Sequence, residues 1–325
     1  MKEIIAFAVL LLLCIFAFFM SIRSFKEKGF LFNNAYIHAS IKEREEMNKK
    51  PYYRQSGVIF FLIGIIFMLN SFSLLLKIEW LSYLVIPIII LTMIYAIVSS
   101  IVIERNNKKE KTMNELFEKV FKNLERNNMK PYYAKDRVEA LEIVKSLLKD
   151  GDTVAVGGSV TLDECGVIDY IRSANLNFLD RYKEGLTREE INDIHRAAFS
   201  ADVYLCSSNA ITENGELYNV DGNANRVAAI CFGPKSVIMV VGKSKIVKDV
   251  AEAVKRVKTI AAPKNSARLN CQTYCNPKGE CMGLNGDFCD GCESAQRICC
   301  DYVLSAHQRL KDRIKIILVD EILGF

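Results

Sequence analysis

Three stretches within the first 103 residues carry no charged side chain, and they restrict the possible folds more than any other feature. They are Ile4 to Met20, Gly57 to Leu76 and Trp80 to Ile103. Each is long enough to cross a hydrocarbon core of about 30 Å. Three such runs so close together argue against helices buried in a soluble core. The first is too long for the apolar part of a secretory signal, and Phe18-Phe19-Met20 offers no small-residue cleavage site. We expect three membrane helices, the first of them uncleaved.

Lysine and arginine placement sets the expected topology. The loop after the first run holds Arg23, Lys26, Lys28, Lys42, Arg44, Lys49, Lys50 and Arg54. Only Lys77-Ile78-Glu79 separates the second run from the third, and Arg105, Lys108, Lys109 and Lys111 follow the third. This pattern puts the N-terminus outside, the short hairpin outside and everything after the third run in the cytoplasm, as a multi-pass protein of the cell membrane. The formal net charge is +5. Much of that excess flanks the spans, where it meets anionic headgroups. It forms no basic stripe interleaved with aromatics, so nucleic acid is not an expected partner.

The expected organisation is a membrane module over 1–103, a charged linker over 104–112 and a cytoplasmic domain over 113–325. Apolar spacing predicts helices over Met113 to Asn127 and Ala134 to Lys149, with Pro131 breaking the first. Strand and helix then alternate. Strands are expected at Thr153 to Val156, Leu176 to Leu179, Asp202 to Cys206, Val227 to Cys231, Val237 to Val241 and Ile314 to Val319. Helices are expected at Thr161 to Ser173, Arg188 to Ser200 and Lys248 to Ile260. Short β-rich runs between amphipathic helices indicate an α/β sheet covered on both faces.

Two polar loops carry candidate chemistry. Gly157-Gly158-Ser159-Val160-Thr161 lies where a buried strand turns into a helix, so its backbone N–H groups can cradle an anion. Glu164 follows as a candidate general base. The second is SSNAITENGELYNVDGNANRVAAICFGP, Ser207 to Pro234. Asn214-Gly215 is a hairpin turn signal. Asn209, Asp221, Asn225 and Arg226 are the expected ligand-facing residues, with Arg226 offering a planar fork to a carboxylate or phosphate. Lys243 and Lys245 follow a strand end and are expected in a solvated turn. His195 and His307 fall on expected helices outside both loops and are read as packing residues. Neither a flavin nor a nicotinamide fingerprint is present.

Of eleven cysteines, seven lie from Cys271 to Cys300. In a reducing compartment such density indicates metal or redox chemistry rather than disulfides. Four thiolates hold a structural zinc or an iron–sulfur cluster, and the spacing leaves both open.

The two loops, AVKRVKTIAAPKNSARL at Ala253 to Leu269, and the cysteine tail closed by IKIILVDEILG together resemble the LUD (lactate utilization) family over Met113 to Phe325. That resemblance implies a fold like ribose-5-phosphate isomerase and the CoA-transferases. Gly157, Ser159, Thr161 and Glu164 match its first motif, while Asn209, Thr212, Gly215, Asp221, Gly222, Asn225 and Arg226 match its second. Cys275, Cys281, Cys292 and Cys299 fall where the family has cysteines, with Cys271, Cys289 and Cys300 as alternates. The first third resembles a small three-span membrane module of unknown function. The resemblance implies a component of lactate or 2-hydroxy-acid oxidation, a subunit of a lactate-oxidising complex working with iron–sulfur partners. The alternatives are a membrane-tethered metabolite sensor with structural zinc, and an isomerase or acyl-transferase using Glu164.

Reporter fusions check the topology. A cytoplasm-active reporter after Phe325 and an export-active reporter between Lys77 and Glu79 are both expected to work. The reversed pair of signals would invert the orientation.

Overall fold

In a computed structural model, which describes residues 2–325, the first apolar run becomes α1 (Lys2–Phe25). Two short helices, α2 (Asn34–His38) and α3 (Ile41–Glu46), occupy the basic loop. The second run lies in α4 (Lys50–Leu76), and the third divides between α5 (Trp80–Tyr83) and α6 (Val85–Arg126). Three helical segments are long and apolar enough to cross a membrane: Ile4–Phe25, Lys50–Leu76 and Trp80–Arg126.

The chain divides into two compact units, one ending at Met113 and the other covering Asn114–Phe325. In the first, α1 packs on α4 through small residues. A Cβ on Gly57 would lie 3.1 Å from the Phe25 ring, and one on Gly64 would lie 2.9 Å from the Phe18 ring. The Ser21 hydroxyl donates to the Gly57 carbonyl at 2.8 Å. Close contact of this kind replaces the hydrophobic drive that lipid cannot supply. The buried Gln55 amide donates to the hydroxyls of Ser99 and Ser100 and accepts from Asn33, so α4 and α6 share a satisfied polar contact. Leu12, Phe16, Ile90 and Ile97 face outward, as lipid-facing residues would.

The second unit continues with β1 (Lys130–Ala134), α7 (Arg137–Leu147), β2 (Thr153–Val156), α8 (Val160–Glu164), α9 (Val167–Ser173), β3 (Asn177–Leu179) and α10 (Arg188–Ala197). Next come β4 (Val203–Cys206), β5 (Ala210–Thr212), β6 (Leu217–Asp221), α11 (Asn225–Cys231), β7 (Ser236–Gly242) and β8 (Ile246–Val247). The chain closes with α12 (Val250–Arg256), α13 (Ala262–Arg268), α14 (Cys275–Lys278), β9 (Asp301–Ser305) and β10 (Ile314–Val319). Six parallel strands form one sheet in the order β1-β10-β7-β4-β2-β3. Val154, Leu205, Ile238, Val240 and Ile317 on the strands pack with Ala140, Val144, Leu162 and Ile171 of the helices into its main core. A smaller sheet, β8-β5-β6-β9, packs through Ala210, Tyr218 and Val220 on Ala253, Val257 and Ala262.

Several local expectations change. Val227 to Cys231 is helical, not a strand. Val227 and Ile230 are buried at helical spacing, and a short apolar run does not distinguish the two periods. Pro131 does not simply end a helix. It sits in β1, an edge strand, where its missing N–H is tolerated. Gly166, at φ 68°, splits the expected Thr161 to Ser173 helix into α8 and α9. The expected Lys248 to Ile260 helix runs through α12 and a π-helical turn, Val257–Ala261, into α13. His307 lies outside any helix, beside the Asn128 amide.

Arg313 fastens the end of α11. Its buried guanidinium donates to the carbonyls of Ala229, Ile230 and Pro234 at 3.1, 2.6 and 3.0 Å. Arg313→Ala leaves these acceptors unpaired and is expected to cost about 2–4 kcal/mol. Urea denaturation followed by circular dichroism measures it.

Candidate functional site

The sheet order places a crevice where the chain reverses direction across the sheet. From β2 the path goes outward to β3, then returns to β4 on the opposite side of β2. Ligands in open α/β sheets bind beyond the carboxyl ends of strands at such a switch point. Val156 of β2 pairs with Leu205 of β4, and Gly157 N–H donates to the Leu205 carbonyl at 2.9 Å. The two candidate loops therefore leave the sheet side by side. Above them is a polar cavity of about 190 Å³, lined by Gly158 and Ser159 from one loop and Ser207, Ser208 and Asn209 from the other. Asp221, Gly222, Asn225 and Arg226 also reach it, as do Arg181, Lys245, Asn265 and Arg268.

The geometry revises the role of Arg226. Its Nη1 donates to Ser207 O at 3.2 Å and Asn219 Oδ1 at 2.8 Å, and its Nη2 donates to Asn209 Oδ1 at 2.9 Å and Val220 O at 2.6 Å. Its Nε lies 3.5 Å from Asp221 Oδ2. The fork is thus committed inward, and Asn209 and Asp221 are its partners rather than independent ligand contacts. Asn209 Oδ1 also accepts from Val220 N, while Asp221 accepts from the N–H groups of Asn223 and Arg226. Gly157 has no side chain because the Arg226 stem and the Tyr204 hydroxyl lie where a Cβ would meet them at 3.2 and 3.0 Å. Gly222 similarly lets the backbone of Ile298 approach to 3.1 Å of the Cβ position.

Other expected site residues lie elsewhere. Thr212 and Gly215 belong to the β5-β6 hairpin, which docks on the end of α6. Asn123 and Asn127 donate to the Glu213 and Asn214 carbonyls at 2.7 and 2.9 Å, and the Thr212 hydroxyl pairs with Glu216. Only Gly215 of the turn pair takes a positive φ. Glu164 is exposed, does not line the cavity, and accepts from Gly324 N at 2.7 Å. Ser159 caps α8 through Leu162 N, but α8 spans one turn and its dipole is correspondingly weak. His195 stays outside the cavity, facing Tyr204 and Asn225, with burial lowering its pKa.

Lys245 is the largest departure from expectation. It is 3% exposed rather than in a solvated turn. Its ammonium donates to Thr161 Oγ1 at 2.9 Å and Ser207 Oγ at 3.0 Å, which gives the fully buried Thr161 its role. Burial, then the nearby Arg256 and Arg226, pull its pKa from 10.5 to about 7. Arg181 and Arg268 were also missed. Among the described residues, Arg181 lies over the Tyr182 ring with no hydrogen bond or ion pair, and Arg268 donates only to Asn265 Oδ1 on the same helix. Arg181 and Arg268 give the cavity wall its permanent positive charge. Arg268 ends the quoted Ala253 to Leu269 motif. Its helical spacing from Ala261 and Asn265 was the signal available in sequence.

The cysteine tail surrounds a second, tight cavity of only about 20 Å³. Cys275, Cys281, Cys292 and Cys299 all line it. Cys289 and Cys300 line a separate open cleft, and Cys271 reaches neither. No three His, Cys, Asp or Glu side chains among the described residues converge closely enough to hold one metal ion, so the four thiols frame a space rather than a point. Burial, then Cys275 and Cys281, push the Cys299 thiol up to about 12. Lys258 donates to the Gly283 and Asp287 carbonyls at 2.5 Å, holding the Met282 to Phe288 insert. Arg297 donates to the carbonyls of Cys289, Cys292 and Cys299. Both cations line the thiol cavity, and Ile298 lines this cavity and the polar one alike.

A model of the LUD domain matches residues 117–319. The chain belongs to the LUD domain family. A second model, of a domain of unknown function (DUF3784), matches residues 11–104, the region of the apolar helices. A crystal structure of a DUF162 family protein from Deinococcus radiodurans is similar at 15% identity with a TM-score of 0.37, covering 64% of this chain and 98% of that one. None of the curated proteins matches.

Lys245 generates a stability prediction for the LUD domain. Between about pH 7 and 10.5 the unfolded chain holds a proton on this amine that the folded chain has lost. Stability therefore rises with pH across that window, and the benefit is lost as pH falls through 7. Lys245→Met is expected to flatten this rise. The check is the difference between wild-type and variant melting temperatures across the window.

Proposed function

We propose that this protein binds a small anionic metabolite at a LUD domain tethered to the cytoplasmic face of the cell membrane, and serves lactate or related 2-hydroxy-acid oxidation. The observation that carries this reading is the polar cavity at the switch point. Arg181, Lys245 and Arg268 face it, and its hydroxyl and amide groups suit a hydroxy or oxo acid. Such a ligand pairs its carboxylate with guanidinium and its oxygen at the α-carbon with Ser207, Ser208 or Ser159.

The adjoining cavity brings together the four thiols that a metal–thiolate centre would use. Zinc needs four sulfurs within about 3.8 Å of one another, as Zn–S bonds near 2.3 Å demand. Lys258 and Arg297, which line the same cavity as the four thiols, would offset the anionic charge of an iron–sulfur cluster. Cys275, Cys281, Cys292 and Cys299 would hold it, and its chemistry would be one-electron transfer. Because Ile298 borders both cavities, such a centre would sit next to the bound metabolite. The basic residues flanking the spans support the inward placement of the domain. Iron–sulfur redox subunits are the partners such a component would need, since a two-electron substrate oxidation exceeds what one cluster accepts.

The test is to purify the full chain in detergent without oxygen, measure iron, zinc and sulfide per chain, and record the visible spectrum with and without lactate or pyruvate. Stoichiometric iron and sulfide, with a spectrum perturbed by the acid, are expected. One zinc and no colour would instead favour a membrane-tethered metabolite sensor with a structural metal.

A further inference from the structure

The polar cavity contains a buried amine without an acid to match it. Lys245 sits at its floor, and no carboxylate among the described residues lies within hydrogen-bonding distance of Nζ. Its two partners are the neutral hydroxyls of Thr161 and Ser207, at 2.9 and 3.0 Å. Overhead, the chain crosses so closely that a Cβ on Gly324 would lie 3.2 Å from Nζ. The charged groups that bear on it are Arg226 at the start of α11 and Arg256 at the end of α12. They are opposed by Glu164 at the end of α8, the buried thiol of Cys165 nearby being held protonated.

Two hydroxyls compensate an ammonium poorly in a dry site, and two guanidiniums disfavour it further. The free amine is the form such a site selects, as the pKa of about 7 reflects. A desolvated lysine beside other cations is also how a protein makes an amine nucleophilic near neutral pH. A purely structural lysine would be served better by a carboxylate, and a purely electrostatic anion contact by an exposed, permanently charged guanidinium. Arg181 and Arg268 already supply the latter on the same cavity wall.

We propose that Lys245 is a nucleophilic amine that condenses with the keto group of a small 2-oxo acid bound in the polar cavity, while Arg181 and Arg268 hold its carboxylate. This rests on the reading of that cavity as an anion site. In the step, the Nζ lone pair forms a bond to the carbonyl carbon, and the carbonyl π pair moves to oxygen. One proton leaves nitrogen and one reaches oxygen, giving the carbinolamine. The hydroxyl then takes a second proton and departs as water while the carbon–nitrogen double bond forms, and the nitrogen gives up its remaining proton to replace the one consumed. Amine and ketone thus give imine and water, with no change of oxidation state. The hydroxyls of Thr161 and Ser207, already hydrogen-bonded to Nζ, are placed to relay these protons.

The experiment treats the full chain in detergent at pH 7 with pyruvate and sodium cyanoborohydride, then maps the reduced adduct by peptide mass spectrometry. Pyruvate binding is measured in parallel by calorimetry without the reductant. One adduct per chain at Lys245 is expected, formed at least about a hundredfold faster than at exposed lysines, whose amines are almost wholly protonated at that pH. Lys245→Arg should give no adduct while still melting cooperatively. Should that variant fail to fold, the wild-type map decides alone. Binding without an adduct at Lys245, or adducts spread over exposed lysines, overturns the imine and leaves the anion site standing. Neither binding nor labelling overturns both.

Discussion

The inward-turned guanidinium of Arg226 holds the site together. It starts in the first turn of α11, passes over Gly157, and ends on oxygens from Ser207, Asn209, Asn219 and Val220. The turns at Ser207 to Asn209 and Asn219 to Val220 and the start of α11 thereby share one junction with the distant Gly157, at the carboxyl ends of β2 and β4. A planar group with five N–H donors in fixed directions suits this task in a way that an ammonium does not. Asp221 offsets part of its charge, while Arg226 still disfavours the charged form of Lys245. Arg181 and Arg268 carry the permanent positive charge on the cavity wall.

The second consequence is the adjacency of two unlike cavities. Val257 and Lys258 of the π-helical turn line the thiol cavity, while Ala261 of the same turn, with Asn265 and Arg268 of α13, lines the polar one. The extra residue of a π turn shifts the helical phase, which lets one continuous helix serve two sites on different faces. Ile298 completes the partition, and its backbone approaches Gly222 because that residue has no side chain. The cysteine tail and the Asp221-Gly222 loop are thus in direct packing contact. The hydrogen bond from Cys300 N to Asp221 O adds a second link.

In the first unit the same economy of small residues appears under a different solvent. Gly57 and Gly64 admit aromatic rings from α1, and Gln55 satisfies its amide against α6. In a bilayer, packing and internal hydrogen bonds must do what water exclusion does for the LUD domain.

Much of this was legible in the residues alone. The absence of charge over three long runs determines helices that suit a bilayer, because no other backbone arrangement satisfies its own polar groups there. Strand-helix alternation determined an α/β domain and the motifs its family; the four cysteines that the family resemblance implied all line one cavity. Local pattern failed where partners are remote. Val227 to Cys231 is equally apolar as strand or helix, and only the end of β6 and the grip of Arg313 decide between them. Arg226 looked like a ligand fork because its acceptors, among them Ser207 and Asn219, are brought to it only by the closed hairpin. Lys245 looked solvated because nothing in Gly242-Lys243-Ser244-Lys245 reveals that the chain's end folds back over it. Charge and spacing are properties of sequence, whereas desolvation and the saturation of hydrogen bonds depend on which distant segments arrive. The tertiary structure therefore decided which cation holds the site together and which remains to act.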